Sequence, residues 1–297
     1  MPLSIASVVG VATSTGRVTG RVRVPELPEV EAAARLLARA AVGKRIADVR
    51  LLHPALYRRV DPAAAAALRG RRLDHVERRG KHQLLTLDDQ SVVHVHFRMT
   101  GDWVLGRSGE PAAPHARAIF EFTDGTWIAL SDPRALATIS VYPAGAGAPL
   151  PALGPEATDP TLTPEWLAAA LRKRRLAIKL ALLDQRVVAG LGNIYAAEAL
   201  WHAEIDPTTP AASLTLAQLG RLIDGMRRTL GDASEDPGRY ARGESTQRLN
   251  VYGRAGEPCR RCGAPVVRIV QGSRSTYYCG HCQLTADAVS RTEARRG

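Results

Sequence analysis

The chain has 297 residues, 45% of them hydrophobic, enough to bury a substantial core and divide into two or three domains. Its 40 Lys and Arg outweigh 29 Asp and Glu, a formal charge of +11 that favours a polyanionic partner, because each phosphate neutralised releases condensed counterions. No apolar run approaches the roughly 20 residues that span a bilayer, and all four cysteines fall from residue 259 onward, unlike the scattered cysteines of an extracellular disulfide framework.

Residues 1–24 contain no acidic residue and carry Arg17, Arg21 and Arg23 in their second half. A secretory signal would begin with basic residues; a transit peptide, or a segment outside the mature protein, fits better. Residues 29–42 (EVEAAARLLARAAV) place apolar side chains at helical spacing, and Gly43 stands where a helix stops. Strand-like runs follow at Ile46–Leu52, Leu84–Leu87, Val92–Phe97, Ala118–Phe122 and Trp127–Ser131, with turn residues such as Asp124-Gly125 between them. One helix and a meander of strands predict a β-sandwich-like first domain over 25–142. The stretch 143–160 (PAGAGAPLPALGPEATDP) reads as a linker.

Helical patterns then occupy Pro164–Arg174, Ile178–Leu183, Ile194–Ala203 and Leu214–Leu230, with Thr163 and Ser213 placed to cap the first and last. They predict a helical domain over 161–246 that ends in a turn-rich stretch from 231. A cysteine module (247–284) and a tail (285–297) complete an α+β chain without internal repeats.

In the module, Cys259-x-x-Cys262 and Cys279-x-x-Cys282 are separated by 16 residues. Four thiolates in two such knuckles favour one tetrahedral zinc ion in a closed, structural site. Two disulfides, or a redox CxxC, are the alternatives. The intervening VVRIVQGSRSTYYC reads as a hairpin with Arg274 near its tip, where an arginine can reach phosphate.

Several motifs together resemble the formamidopyrimidine-DNA glycosylase and endonuclease VIII superfamily. They are PELPEVE (25–31), RRGKHQLL (78–85), HFRMTG (96–101), AIKLALLDQRVVAGLGNIYAAEALW (177–201), VYGRAGEPCRRCG (251–263) and GSRSTYYCGHCQ (272–283). The resemblance runs in order over about residues 25–283, and PELPEVE rather than PEGPE favours the formamidopyrimidine branch. It implies a helix–two-turn–helix domain, a C-terminal zinc-ribbon hairpin, and a monomer acting in the bacterial cytoplasm on double-stranded DNA with oxidised bases or abasic sites. The implied activity is excision of oxidised purines such as 8-oxoguanine, followed by backbone cleavage through β,δ-elimination.

The resemblance also implies roles for individual residues. Pro25 corresponds to the nucleophile, a role that suits a terminal secondary amine: N-terminal amines have a pKa near 8 and keep a lone pair at neutral pH. Glu26 corresponds to the acid/base that protonates the sugar ring oxygen, with Glu29 in a supporting place. Lys81 and Arg274 correspond to the lysine of β-elimination and the arginine of δ-elimination. Asn193, in GLGNIY, corresponds to a phosphate ligand, and His115, Arg134, Arg174 and Lys179 fall at DNA-contacting positions.

A flipped base leaves a hole to be filled, a task the resemblance assigns to Met99, Arg134 and Leu136. Leu136 departs from the pattern: the family's D-P-R-R-F-G reads Asp132-Pro133-Arg134-Ala135-Leu136-Ala137 here. An aliphatic side chain can wedge between bases but cannot stack as a ring does.

Catalysis through Pro25 requires its nitrogen to be free. Val24 stands where an initiator Met is expected, and a GTG codon can start translation, so the mature chain is expected to begin at Pro25. Two other readings stay open. One is an endonuclease VIII-like enzyme for oxidised pyrimidines. The other is a non-catalytic DNA-binding protein whose proline is blocked.

Overall fold

A computed structural model of the protein describes residues 24–57, 60–146, 150–235 and 249–283. Residues 1–23 of the expected leader, most of the turn-rich stretch after 231 and the expected tail lie outside the described residues. Among those described, no helix is long and apolar enough to cross a membrane.

The first helix, α1 (Leu27–Ala41), has Pro28 in its first turn and buries Val30, Ala33, Leu37 and Ala41 along one stripe. Next come β1 (Ile46–Leu51), two short helices, α2 (Pro54–Tyr57) and α3 (Pro62–Ala66), and seven strands. These are β2 (Leu73–Arg79), β3 (His82–Leu87), β4 (Val92–His96), β5 (Asp102–Arg107), β6 (Ala116–Phe122), β7 (Thr126–Ser131) and β8 (Thr138–Tyr142). They form two four-stranded antiparallel sheets, ordered β1-β6-β7-β5 and β2-β3-β4-β8. A core that includes Leu37, Val95, Phe97, Leu130 and Ile139 joins both sheets and α1.

Strands β2, β5 and β8 escape the sequence reading, for a physical reason. Only Leu73 of LDHVERR, Trp103 of DWVLGR and Ile139 of TISVY are buried, so no run of alternating apolar residues marks them. Their strand character comes from pairing with β3, β7 and β4.

The helical part holds α4 (Pro164–Leu171), α5 (Ile178–Leu182), α6 (Asn193–Ala203) and α7 (Leu216–Glu235). Thr163 caps α4 as expected, its hydroxyl accepting the Trp166 N–H at 3.2 Å. Ser213 does not cap α7. It ends a 3-10 turn at Ala211–Ser213, and Thr215 forms a reciprocal box with Gln218 instead, at 3.3 and 2.9 Å. Helix α6 is buried on nearly every side, with Tyr195, Ala196, Ala199 and Ala203 at 0% exposure; it is the central rod of this half. The chain then reaches the β9 (Val266–Gln271) and β10 (Arg274–Cys279) hairpin, which shares a small core with Trp201 and Val251.

The second half of the Pro/Gly/Ala-rich stretch is packed rather than a loose spacer. The Glu156 carboxylate accepts two hydrogen bonds from Arg78 at 2.8 Å each and one from Gly80 N–H at 2.6 Å. Arg78 also donates to Glu31 at 2.6 Å, and Arg79 to the Gly154 carbonyl at 2.6 Å. This largely buried network fastens the β2–β3 turn, with Lys81 on it, to the helical half. Removing one partner from such a network costs on the order of 3 kcal/mol.

Candidate active site and metal-binding hairpin

The N-terminus of α6 gathers the buried charges. Gly190 and Gly192 precede it, and both are needed as glycine. Gly190 has φ +93°, and a Cβ there would stand 2.2 Å from Leu27 Cδ1; one on Gly192 would stand 2.2 Å from the Glu26 carboxyl carbon. This clearance lets Glu26, 1% exposed, lay its carboxylate on the first amides of α6, accepting from Ile194 N–H at 3.0 Å and Tyr195 N–H at 3.3 Å. Glu29 supports it from behind, accepting the Glu26 N–H at 3.0 Å and the Tyr195 hydroxyl at 2.7 Å. Burial pushes the Glu26 carboxyl above the usual carboxylate range, although the Lys81 ammonium and the Ile194 amide pull it down. Burial raises Glu29 as well, against the Tyr195 hydroxyl. Pro25, buried, directly precedes this pair.

Lys81 points into the same place and donates to the Leu191 carbonyl at 2.8 Å. Gln185 holds that carbonyl from the other side at 2.9 Å and accepts Gly190 N–H at 2.9 Å, which fixes the loop. Burial lowers the Lys81 pKa, opposed by Glu26 and Glu29 and reinforced by the Arg274 charge. Lys179, fully buried, is pushed down to about 8 by burial and again by Arg274. It donates to Asn193 Oδ1, while the Asn193 amide donates to the Tyr252 hydroxyl at 3.2 Å and the Ser275 carbonyl at 2.9 Å. The residues expected to work together, Pro25, Glu26, Lys81, Lys179, Asn193 and Arg274, thus meet around one helix end, with Arg274 on the exposed rim. Lys179 and Asn193 spend their polar atoms on each other and on the hairpin.

In the hairpin, the four cysteine sulfurs all lie within 4.8 Å of one another. Cys262 and Cys279 are 3.5 Å apart, Cys259 and Cys282 4.0 Å. A disulfide would need about 2.05 Å. Tetrahedral zinc with Zn–S bonds of about 2.3 Å would set the sulfurs about 3.8 Å apart. The donor set fits one structural zinc ion.

Comparison with known proteins follows the same division of the chain. Residues 24–139 match the formamidopyrimidine-DNA glycosylase N-terminal domain, 153–242 the formamidopyrimidine-DNA glycosylase H2TH domain, and 256–284 the zinc finger found in FPG and IleRS. The formamidopyrimidine-DNA glycosylase of Geobacillus kaustophilus is 41% identical over 274 residues, spanning 88% of this chain and 100% of the relative. That of Chloroflexus aurantiacus is 38% identical over 273 residues, spanning 88% and 98%. This chain belongs to the formamidopyrimidine-DNA glycosylase family. Among solved structures, Lactococcus lactis formamidopyrimidine-DNA glycosylase bound to abasic-site DNA superposes with a TM-score of 0.81 at 30% identity, covering 88% of this chain and all of that one. Its complex with Fapy-dG-containing DNA gives 0.80 at 30%, with the same coverage.

Within this family frame, the expected base-replacing residues sit on two adjoining loops. Arg134 and Leu136 are exposed, Leu136 at 40%, and Met99 is half-buried. Asp132, fully buried, ties the loops together: it accepts from the Thr100 hydroxyl and from the amides of Arg134 (3.1 Å), Leu136 (2.6 Å) and Ala137 (2.7 Å). Burial pushes Asp132 up, but the Thr100 hydroxyl and these amides outweigh it and hold the carboxyl below the usual range. His115 is exposed at φ +57°, next to the same segment through its carbonyl and Asp132 N–H. Arg174 pairs with Asp184 at 2.8 Å, beside the exposed Arg172, Lys173 and Arg175 of its run.

Some residues at the site carry no sequence signal of their own. Tyr195 and Gln185 act through bonds across the fold. His82, His94 and His96 gather on β3 and β4 beside Lys81, with His82 Nδ1 2.8 Å from His94 Nε2.

Proposed function

We propose that this protein excises oxidised purines from double-stranded DNA and then cleaves the abasic strand, with the nitrogen of Pro25 as nucleophile. The observation that carries the reading is the Glu26 carboxyl: buried, raised in pKa, next to Pro25 and held on the α6 amides. A carboxyl whose hold on its proton is strengthened by burial is suited to proton donation.

In this reading the Pro25 lone pair forms a bond to C1′ of the damaged nucleotide. The bond from C1′ to the base breaks, and its electron pair leaves with the base, which takes up a proton. Glu26 protonates the ring oxygen as the C1′–O4′ bond opens, leaving an iminium between Pro25 and the sugar. The iminium acidifies C2′–H; loss of that proton expels the 3′ phosphate, and a second elimination expels the 5′ phosphate. Lys81 and Arg274, cations on the inner wall and outer rim, are suited to these two phosphates. Water then releases the sugar remnant and restores the amine. Met99, Arg134 and Leu136 fill the space left by the flipped base. The zinc ion, held by Cys259, Cys262, Cys279 and Cys282, fixes the hairpin that carries Arg274. The site of action is the bacterial cytoplasm, as for a monomeric repair enzyme.

The test is borohydride trapping on an abasic-site duplex with protein beginning at Pro25. A covalent adduct that is lost when the chain retains residues 1–24 is the expected result. No adduct from either form leaves a DNA-binding protein without the chemistry. Excision of thymine glycol in preference to 8-oxoguanine would move the substrate to oxidised pyrimidines.

A further inference from the structure

A zinc ion with four thiolates carries a net charge of −2, which the surrounding protein must balance with donors and cations. Three of the four sulfurs have no side-chain N–H or O–H donor among the hydrogen bonds of the described residues. Cys259 is different. The indole N–H of Trp201, near the C-terminal end of α6, donates to its sulfur at 3.4 Å, and the Arg261 amide approaches it at 3.5 Å. Trp201 is 7% exposed, so this bond is shielded from water. The Arg261 guanidinium lies 4.2 Å from the Trp201 ring centroid and donates to the Trp201 carbonyl at 3.2 Å, with Glu204 at 3.3 Å on its outer side. An arginine stacked on an indole makes the indole N–H more positive and brings a cation toward the metal knuckle.

We infer that Trp201 and Arg261 together form a charge-balancing partner of the zinc-bound Cys259 thiolate, and that they bind the metal knuckle to α6. The consequence reaches beyond the ribbon. Helix α6 has Trp201, near its C-terminal end, on the Cys259 sulfur and begins at Asn193–Tyr195 on Glu26, so metal retention and the seating of the catalytic carboxyl share one rigid element. Groups that hydrogen-bond a metal ligand typically change metal affinity 10–100-fold when removed.

The experiment is a competition titration of the full-length protein against a chromogenic zinc chelator. Trp201→Phe keeps a ring for Arg261 to stack on and removes only the N–H; its zinc affinity should fall about 10-fold. Arg261→Gln, at a partly exposed position where folding is safe, should weaken it in the same direction. A change below about threefold in both variants overturns the inference. A second reading separates it from simple packing. The difference in Tm between zinc-loaded and zinc-stripped protein should shrink in Trp201→Phe. If both forms lose the same number of degrees and the difference is kept, Trp201 is a packing residue only and the inference fails.

Discussion

Two regions that meet DNA in the proposed reaction are built on opposite principles. At the α6 N-terminus, Glu26, Glu29, Lys81 and Lys179 are withdrawn from water, and each is held by hydrogen bonds from distant parts of the chain. On the 99–136 loops, Arg134 and Leu136 project into solvent and only the backbone beneath them is fixed, by Asp132. The buried site is pre-organised and intolerant of displacement, because its electrostatics depend on low dielectric and exact partners. The exposed loops have a fixed base and free tips, which suits a search over many sequences.

The largest effect that would sharpen this contrast is at Glu26. Glu26→Gln should lower single-turnover excision by about 10²- to 10⁴-fold while leaving affinity for an abasic-analogue duplex within a few-fold; equal losses in both would break the distinction. Next comes Gly192→Ala. Its Cβ would stand 2.2 Å from the Glu26 carboxyl carbon, so the carboxylate must shift by an ångström or more, with an expected loss of about 100-fold in the same assay. Wild-type rates would mean that the seat of Glu26 is adaptable.

The histidines beside Lys81 give a pH test. Burial, with the neighbouring His94 charge, pushes His82 down to about 4, and burial, with His82, pushes His96 to about 3. Both start from 6.5, so between that value and the folded one the unfolded chain binds the extra protons. Stability is therefore fully present above pH 6.5 and falls as pH drops toward 4. His82→Gln should flatten that decline in thermal melts; an unchanged slope would show that other groups govern acid sensitivity. The smallest effect is expected at Leu136. Leu136→Ala should leave stability within about 0.5 kcal/mol and change excision by less than about 10-fold, because a side chain of this size contributes on the order of 1 kcal/mol when it inserts. A loss as large as that of Glu26→Gln would make the exposed loop as demanding as the buried site.

The buried region was also the less legible of the two in one respect. PELPEVE and GLGNIY were visible as motifs, yet nothing in either string says that Glu26 rests on Ile194 and Tyr195, which are 168 and 169 positions away. Lys179 and Asn193 stand at expected DNA-contacting positions, and the fold also turns them toward each other, with Asn193 reaching on to Tyr252. Strands β2 and β8 lack an apolar alternation because each buries a single apolar residue, Leu73 and Ile139, and pairing with β3 and β4 makes them strands.

What the sequence by itself determined is whatever depends on short spacing: the cysteine knuckles that suit one metal ion, the helix stripe of α1, the cap at Thr163 and the glycines before Asn193. Local geometry repeats every two or 3.6 residues and leaves a mark that can be read. Only the tertiary structure decided which charges are buried, which amides hold Glu26, and that Trp201 reaches the Cys259 sulfur. Those contacts join residues far apart in the chain, and their energies depend on loss of water that no local pattern records.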